Sequence, residues 1–371
     1  MTSIKCLDEI LHGPLPRWSH VNASPEEFLE SCATLEISEL VHDRMVGGRA
    51  ETDWPDEVRR ELERRARVAA ARELVRAREI ACVLDSLASR RVFPIILKGA
   101  ALAYTIYDSP ALRPHVDTDL LVAREHIAIV RDVLTRRDYV EPPMTDGELV
   151  FSQFQMARVD RFGTGHVFDI HWRISTQTLF ADLLTYDELL NDAVGVPELG
   201  AHARTPCGAH ALLLACIHPV MHHRNTERLI WFCDIDFLVR CLSDEELRRF
   251  AGLAVTKQVA AICARQLSIA TERFHTPVAS HVTDMLTRAS AGEPTTVYLR
   301  PHRRWHWELF WNIRNHRRWN DRLRLVREVF FPNARYMLEA YRLGSRGALL
   351  LPALYVHRCA YGAFKILIGR K

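Results

Sequence analysis

Nine cysteines lie scattered at positions 6, 32, 82, 207, 216, 233, 241, 263 and 359, and no two form a Cys-x-x-Cys pair. The spacing excludes a disulfide framework and a thiolate zinc site. Most fall in apolar helical stretches, where a thiol packs as a small hydrophobe, so a reducing, cytoplasmic setting is expected. The opening Met1-Thr-Ser-Ile-Lys-Cys-Leu has no apolar region of the signal-peptide kind. A membrane-spanning run is missing as well: Ala348 to Val356 is apolar but too short, and His357 and Arg358 interrupt it. That segment is expected to form a buried or interfacial helix. Neither a P-loop nor a G-x-G-x-x-G is present, which removes the glycine-rich phosphate cradles. An excess of one charge is absent too, with 49 Lys and Arg against 46 Asp and Glu. Such balance gives no reason to expect nucleic acid as an obligatory partner.

What remains is an ordinary globular composition, 48% hydrophobic and 26% charged over 371 residues, enough for two or three domains. Residues 1–53 read as short helices broken by Pro and Gly, with Ser24-Pro-Glu-Glu as a cap. Trp54 to Arg90 reads as one long helix behind a sheet, capped by Thr52 or Asp53, with Val68, Leu74, Ile80, Val83 and Leu87 as its apolar stripe. Its many arginines read as a solvated face. Within a catalytic region of 54–195, a strand is expected over Phe93 to Leu97, and a helix over Ala100 to Tyr107. A second strand over Val116 to Val122, a helix over 123–137 and a strand from Tyr139 follow. A hairpin pairs Leu149–Val159 with Gly165–Trp172. Residues 196–294 read as a helical domain covering the cleft, and 295–371 as a helical extension rich in Trp and Arg. The fold class is α+β.

Asp117 and Asp119 stand two apart in an extended segment, so both carboxylates leave the sheet on one face. At ~4 Å two such charges repel by about 4 kcal/mol at an effective dielectric near 20. A divalent cation removes that cost, and Mg²⁺ favours a few carboxylates together with substrate phosphates. Val167-Phe-Asp-Ile-His-Trp-Arg173 offers a third carboxylate, Asp169, with His171 and Arg173 following at same-face spacing. A second Asp-x-Asp, Asp234-Ile-Asp236, lies in a helical context, where i and i+2 diverge and cannot chelate one ion together. His218 and His222 share a helix face with His223 beside them. A zinc site, a cleft-lining substrate contact and simple packing are all open for these three.

Lys98-Gly99, a helix, Arg113, then Asp117-Thr-Asp119-Leu-Leu-Val122 and the later Asp169-Ile-His-Trp-Arg173 resemble an uncharacterised bacterial nucleotidyltransferase family of the DNA polymerase beta-like superfamily. The likeness continues through His218-Pro-Val-Met-His-His223 and Arg228-Leu-Ile-Trp231 to Leu238. It implies a small mixed sheet, three carboxylates (Asp117, Asp119, Asp169) binding two Mg²⁺ ions, and transfer of a nucleoside monophosphate from an NTP. Lys98, Gly99, Arg113, His171 and Arg173 would then serve the nucleotide. His222, His223 and Asp234 would serve the acceptor, a small molecule, a natural-product peptide or a protein. Where the superfamily has Gly-Ser at the first strand's end, this chain has Lys98-Gly99-Ala100. A non-catalytic nucleotide- or partner-binding protein and a tRNA-modifying enzyme stand as rival readings.

Overall fold

Seven residues of alternating burial, Gln153 to Val159, pair antiparallel with Gly165 to His171, and this hairpin is the largest piece of the central sheet. Asp160 closes it by accepting from the backbone N–H groups of Phe162 and Thr164, and Gly163 supplies a left-handed residue, φ 80°. The computed structural model describes residues 4–47, 53–142, 152–300, 305–316, 318–343 and 345–368; the expected strand start at Leu149 lies outside them.

Four helices open the chain: α1 (Ile4–His12), α2 (Trp18–Val21), α3 (Pro25–Thr34) and α4 (Ser38–Gly47). Ser24 caps α3 in a full capping box with Glu27. Then α5 (Asp56–Ala88) runs without a break, about 50 Å at 1.5 Å per residue. The sheet follows as β1 (Ile95–Leu97), β2 (Thr118–Leu121), β3 (Gln153–Val159) and β4 (Gly165–His171), with α6 (Lys98–Ala103) and α7 (Ile127–Thr135) between them. Strand order is β1-β2-β4-β3, with β2 and β4 parallel and the outer pairs antiparallel. Beyond it come α8 (Thr178–Ala181), α9 (Tyr186–Asn191), a two-stranded β5 (Val194–Gly195) and β6 (Arg204–Thr205), then α10 (Gly208–His223) and α11 (Leu229–Cys241). Helices α12 (Asp244–Thr256), α13 (Ala260–Phe274) and α14 (Ser280–Ala289) complete the helical body. It is followed by α15 (Trp305–Asn315), α16 (Trp319–Phe330), α17 (Ala334–Ala340) and α18 (Leu351–Ile368).

The period-two rule divides the sheet. Ile96, Leu120, Phe154, Met156, Phe168 and Ile170 point to one side and pack with Ile80, Val83 and Leu87 of α5 and Val130, Val133 and Leu134 of α7. Truncating one of them, Leu120→Ala for example, would cost about 2–5 kcal/mol. On the other side Ile95, Leu97 and Leu121 join a larger core that runs through α1–α4 and α10–α14. The N-terminal helices and the helical body therefore share one core, with the sheet between that core and the α5/α7 layer.

Several expectations need correcting. Val140 makes only an isolated bridge to Ala157, so Tyr139 begins no strand; its ring instead packs edge-on against Phe168. The stripe on α5 fails at Leu74, 75% exposed, because the middle of the helix crosses between its two packing surfaces. The first of these surfaces takes Val58 and Leu62, and the second takes Ile80 onward. Its N-cap is Pro55; Asp53 accepts from the Trp18 backbone N–H instead. The arginines of α5 do pair along the helix, Arg64 and Arg65 both with Glu61. Of the buried or interfacial helix expected over Ala348 to Val356, the buried alternative does not hold: Leu349, Leu350 and Val356 are exposed, and α18 itself begins at Leu351. Among the described residues no helix is long and apolar enough to cross a membrane.

Candidate active site

Asp119 sits inside β2 and Asp169 inside β4, and the parallel register places them side by side. In the same register His171 stands beside Leu121, and all three polar side chains rise from the face opposite the α5/α7 layer. Carboxylate oxygens of Asp119 and Asp169 and an imidazole nitrogen of His171 lie within 4.8 Å of one another. All three residues are buried, at 4%, 8% and 2% exposure. Asp117 stands just before β2, half-buried at the rim of the same cleft, so the tight trio is Asp119, Asp169 and His171, with Asp117 beside it.

Burial by itself would raise Asp119, but the Lys98 ammonium and the His171 imidazole outweigh it and hold this carboxyl well below the usual range. Lys98 Nζ and His171 Nε2 both meet Asp119 Oδ1, the latter at 2.7 Å. Asp117 and Asp169 are compensated only in part. Burial is the main cause that pushes both up. At Asp169 the His171 imidazole and Lys98 oppose it without cancelling it and Asp119 adds to it; at Asp117 the Asp119 and Asp169 carboxylates add to it against Lys98. Carboxylates only partly compensated in this way, presenting oxygen donors, suit a hard divalent cation.

Two residues that the sequence reading passed over position Asp169: Gln155 Nε2 donates to Oδ1 at 3.2 Å and Gln153 Nε2 approaches Oδ2 at 3.5 Å. Both face Asp169 because β3 alternates in register with β4, so aligning the expected hairpin would have revealed them. Behind Asp117 lies a buried group with no sequence signature. Glu73 of α5, 7% exposed, accepts from Tyr104 Oη at 2.6 Å and Arg76 at 3.1 Å, and His115 Nε2 approaches at 3.3 Å. His115 Nδ1 in turn meets the Asp117 carbonyl oxygen at 3.0 Å, tying the Asp117 loop to the long helix.

Lys98 itself holds a left-handed backbone, φ 54°, where β1 turns into α6. A residue bearing a Cβ is uncomfortable there, and its bond to Asp119 holds it in place. Gly99 is needed for space: a Cβ would come 3.1 Å from His115 Cβ and 3.4 Å from Arg113 Nη1.

Arg113 does not turn to open cleft. Its Nε and Nη2 both donate to Asp234 at 2.8 Å, its Nη1 donates to the Pro114 carbonyl, and it is 7% exposed. Tyr107 Oη adds a third donor to Asp234 at 2.7 Å. The expected phosphate contact and the expected acceptor-orienting carboxylate are thus partners in one buried pair. They lock α11 against the loop before Asp117. Arg173 lies past the end of β4, pairs with Asp182 at 3.2 Å and does not line the cleft.

The cleft is a cavity of about 480 Å³ lined by Lys98, Asp117, Asp119 and Asp169. It is also lined from α10 and α11 by His218, His222, His223 and Trp231. His222 Nε2 donates to the Ile174 carbonyl at 3.0 Å. Burial pushes His222 down to about 3, helped by Lys98, and His223 down to about 4, helped by Arg228. His218 is pushed well below its usual value for the same reason. His218 and His223 pack against Trp231, edge-on and tilted, and His222 packs against both histidines. These neutral imidazoles make an aromatic wall, and among the described residues the metal-capable group is the Asp119 trio, not these histidines.

A profile of nucleotidyltransferase sequences, described as an uncharacterised nucleotidyltransferase, matches residues 22–275, more than half of the chain and every residue of this cleft. The chain belongs to that nucleotidyltransferase family. No curated protein matches it. Membership brings general nucleotidyl transfer with an NTP as substrate, and the matched span includes Glu36 as well as the whole of α10 and α11.

Proposed function

We propose that the protein moves a nucleoside monophosphate from an NTP to a hydroxyl or phosphate acceptor, releasing pyrophosphate, with two Mg²⁺ ions held by Asp117, Asp119 and Asp169. The observation that carries the reading is the register that sets Asp119 beside Asp169 on neighbouring parallel strands. Bound Mg²⁺ supplies neutralisation of phosphate charge and a lowered pKa for the attacking group. The chain's own part is mostly positioning and fixed charge, as this chemistry requires. His171 fixes Asp119 through its Nε2, and Gln155 and Gln153 fix Asp169. An acceptor oxygen attacks the α-phosphorus in line, and its proton passes to Asp169. The bond from the α-phosphorus to the bridging oxygen breaks, and pyrophosphate departs past Lys98. The acceptor class stays broad: a small molecule, a natural-product peptide or a protein side chain.

The test is NTP binding by calorimetry with and without Mg²⁺, followed by transfer of α-labelled NMP onto an acceptor panel and onto the protein itself. Wild type is expected to bind NTP in a Mg²⁺-dependent way and to transfer label; Asp117→Ala with Asp119→Ala is expected to do neither. Equal transfer by the two proteins overturns the proposal. Binding that needs neither Mg²⁺ nor these carboxylates, without transfer, favours a non-catalytic nucleotide-binding protein instead.

A further inference from the structure

A triphosphate brings several negative charges, and the cations lining the cleft differ sharply in how free they are. Lys98 is held by Asp119. Arg113 has its Nε and both terminal nitrogens engaged, by Asp234 and by the Pro114 carbonyl. Arg228, at the start of α11, is the exception. Its side chain is 51% exposed, and the charge facing it is Glu36, at 3.4 Å and 37% exposed. An exposed ion pair of this kind is weak. A phosphate, with charge-assisted and bidentate bonding to a guanidinium, easily displaces it.

The surroundings of Arg228 are built rather than incidental. Its guanidinium rests over the Trp231 ring at 5.2 Å, and His223 packs on the same indole at 4.5 Å. Glu36 reaches the cleft from the turn between α3 and α4, in a left-handed backbone of φ 59°. Two residues 192 positions apart therefore meet across the mouth of one cavity. After burial, Arg228 and then Lys98 are the charges that depress His223, which places both cations around the same space.

We infer that Arg228 grips the β- and γ-phosphates of the bound NTP, leaving Glu36 to do so, and that Glu36 competes with nucleotide for this guanidinium. The inference rests on the NTP reading above and names a phosphate contact that Arg113 is not free to make. Calorimetric titration of inorganic pyrophosphate, and separately of AMP and GMP, with Mg²⁺ present tests it. The proteins compared are wild type, Arg228→Ala, Arg228→Lys and Glu36→Ala, with circular dichroism confirming each fold. Arg228→Ala is expected to weaken pyrophosphate binding at least tenfold and NMP binding less than twofold, with Arg228→Lys between. Glu36→Ala is expected to tighten pyrophosphate binding several-fold, an effect that a merely structural pair would not produce. Unchanged pyrophosphate affinity in Arg228→Ala, or no tightening in Glu36→Ala, overturns the inference and leaves the NTP reading standing. Failure of wild type to bind pyrophosphate or any NTP overturns both.

Discussion

The chain writes Asp-x-Asp twice, and the two copies do opposite things. Asp119 lies in β2, where the register sets it beside Asp169, and Asp117 sits in the bend just before the strand, close enough for both carboxylates to push it up. Asp234-Ile-Asp236 lies inside α11, where two residues turn the direction by about 200°. There Asp234 faces Arg113 and Tyr107, while Asp236 faces Arg240, Thr276 and His12. Both pairs are buried to a similar degree except for Asp117 at the rim. The helical copy has a donor for each carboxylate, and it fastens elements together. In the strand copy only Asp119 is hydrogen-bonded by a cation and an imidazole, and the negative charge left on its neighbours is what a divalent ion could take up. Backbone geometry, not residue type, decides between a staple and a site.

The widest separation between the copies is expected in chemistry. Asp169→Asn keeps the shape and a partner for Gln155 but removes a carboxylate that burial already disfavours. NMP transfer is expected to fall about 10³- to 10⁴-fold, ~4–5.5 kcal/mol of transition-state stabilisation. The melting temperature in the absence of Mg²⁺ is expected to hold or rise. Steady-state label transfer beside a thermal melt measures both. A large loss of stability with the activity intact would move Asp169 into the stapling class.

Stability separates them in the other direction. Asp234→Ala strands a guanidinium that is 7% exposed and leaves the Tyr107 hydroxyl without its acceptor. Breaking a buried pair from one side costs about 3–5 kcal/mol, and denaturant titration should show it. The double change Arg113→Met with Asp234→Leu is expected to recover most of that loss, since no charge is then left buried. A cost below ~1 kcal/mol for Asp234→Ala would mean that Arg113 is not held as described.

How much of this was legible depends on how local the cause is. The hairpin, the Asp119 and Asp169 strands and the long α5 follow from periodicity and turn chemistry within a few residues of one another. Their convergence follows from the same-face rule once two strands are taken as neighbours. Arg113 was legible only as a cation near the site, because its destination, Asp234, lies 121 positions on and belongs to a helix packed from the opposite layer. Glu73 reads as one more acid in an Arg-rich helix, paired three positions on with Arg76; only tertiary packing adds Tyr104 and His115 to it. Arg173 lies outside the alternation: β4 ends at His171, and past it Arg173 pairs with Asp182.

The smallest expected effect tests whether the staple itself is uniform. Asp236 is fully buried, accepts from Thr276 Oγ1 at 2.7 Å and from Arg240 Nε at 2.8 Å, and lies 3.3 Å from His12 Nδ1. Its main cationic partner nevertheless keeps 41% of its side chain in solvent. When Asp236→Ala removes the carboxylate, water takes over the Arg240 guanidinium, and the lasting cost is the Thr276 hydroxyl left unpaired in the interior. Such a loss amounts to about 1–3 kcal/mol, below that of Asp234→Ala although Asp236 is the more deeply buried of the two. Denaturant midpoints for the two variants, measured side by side, decide it. A larger cost at Asp236 would show that burial of the acid governs these pairs, whereas the expected order shows that burial of the partner does.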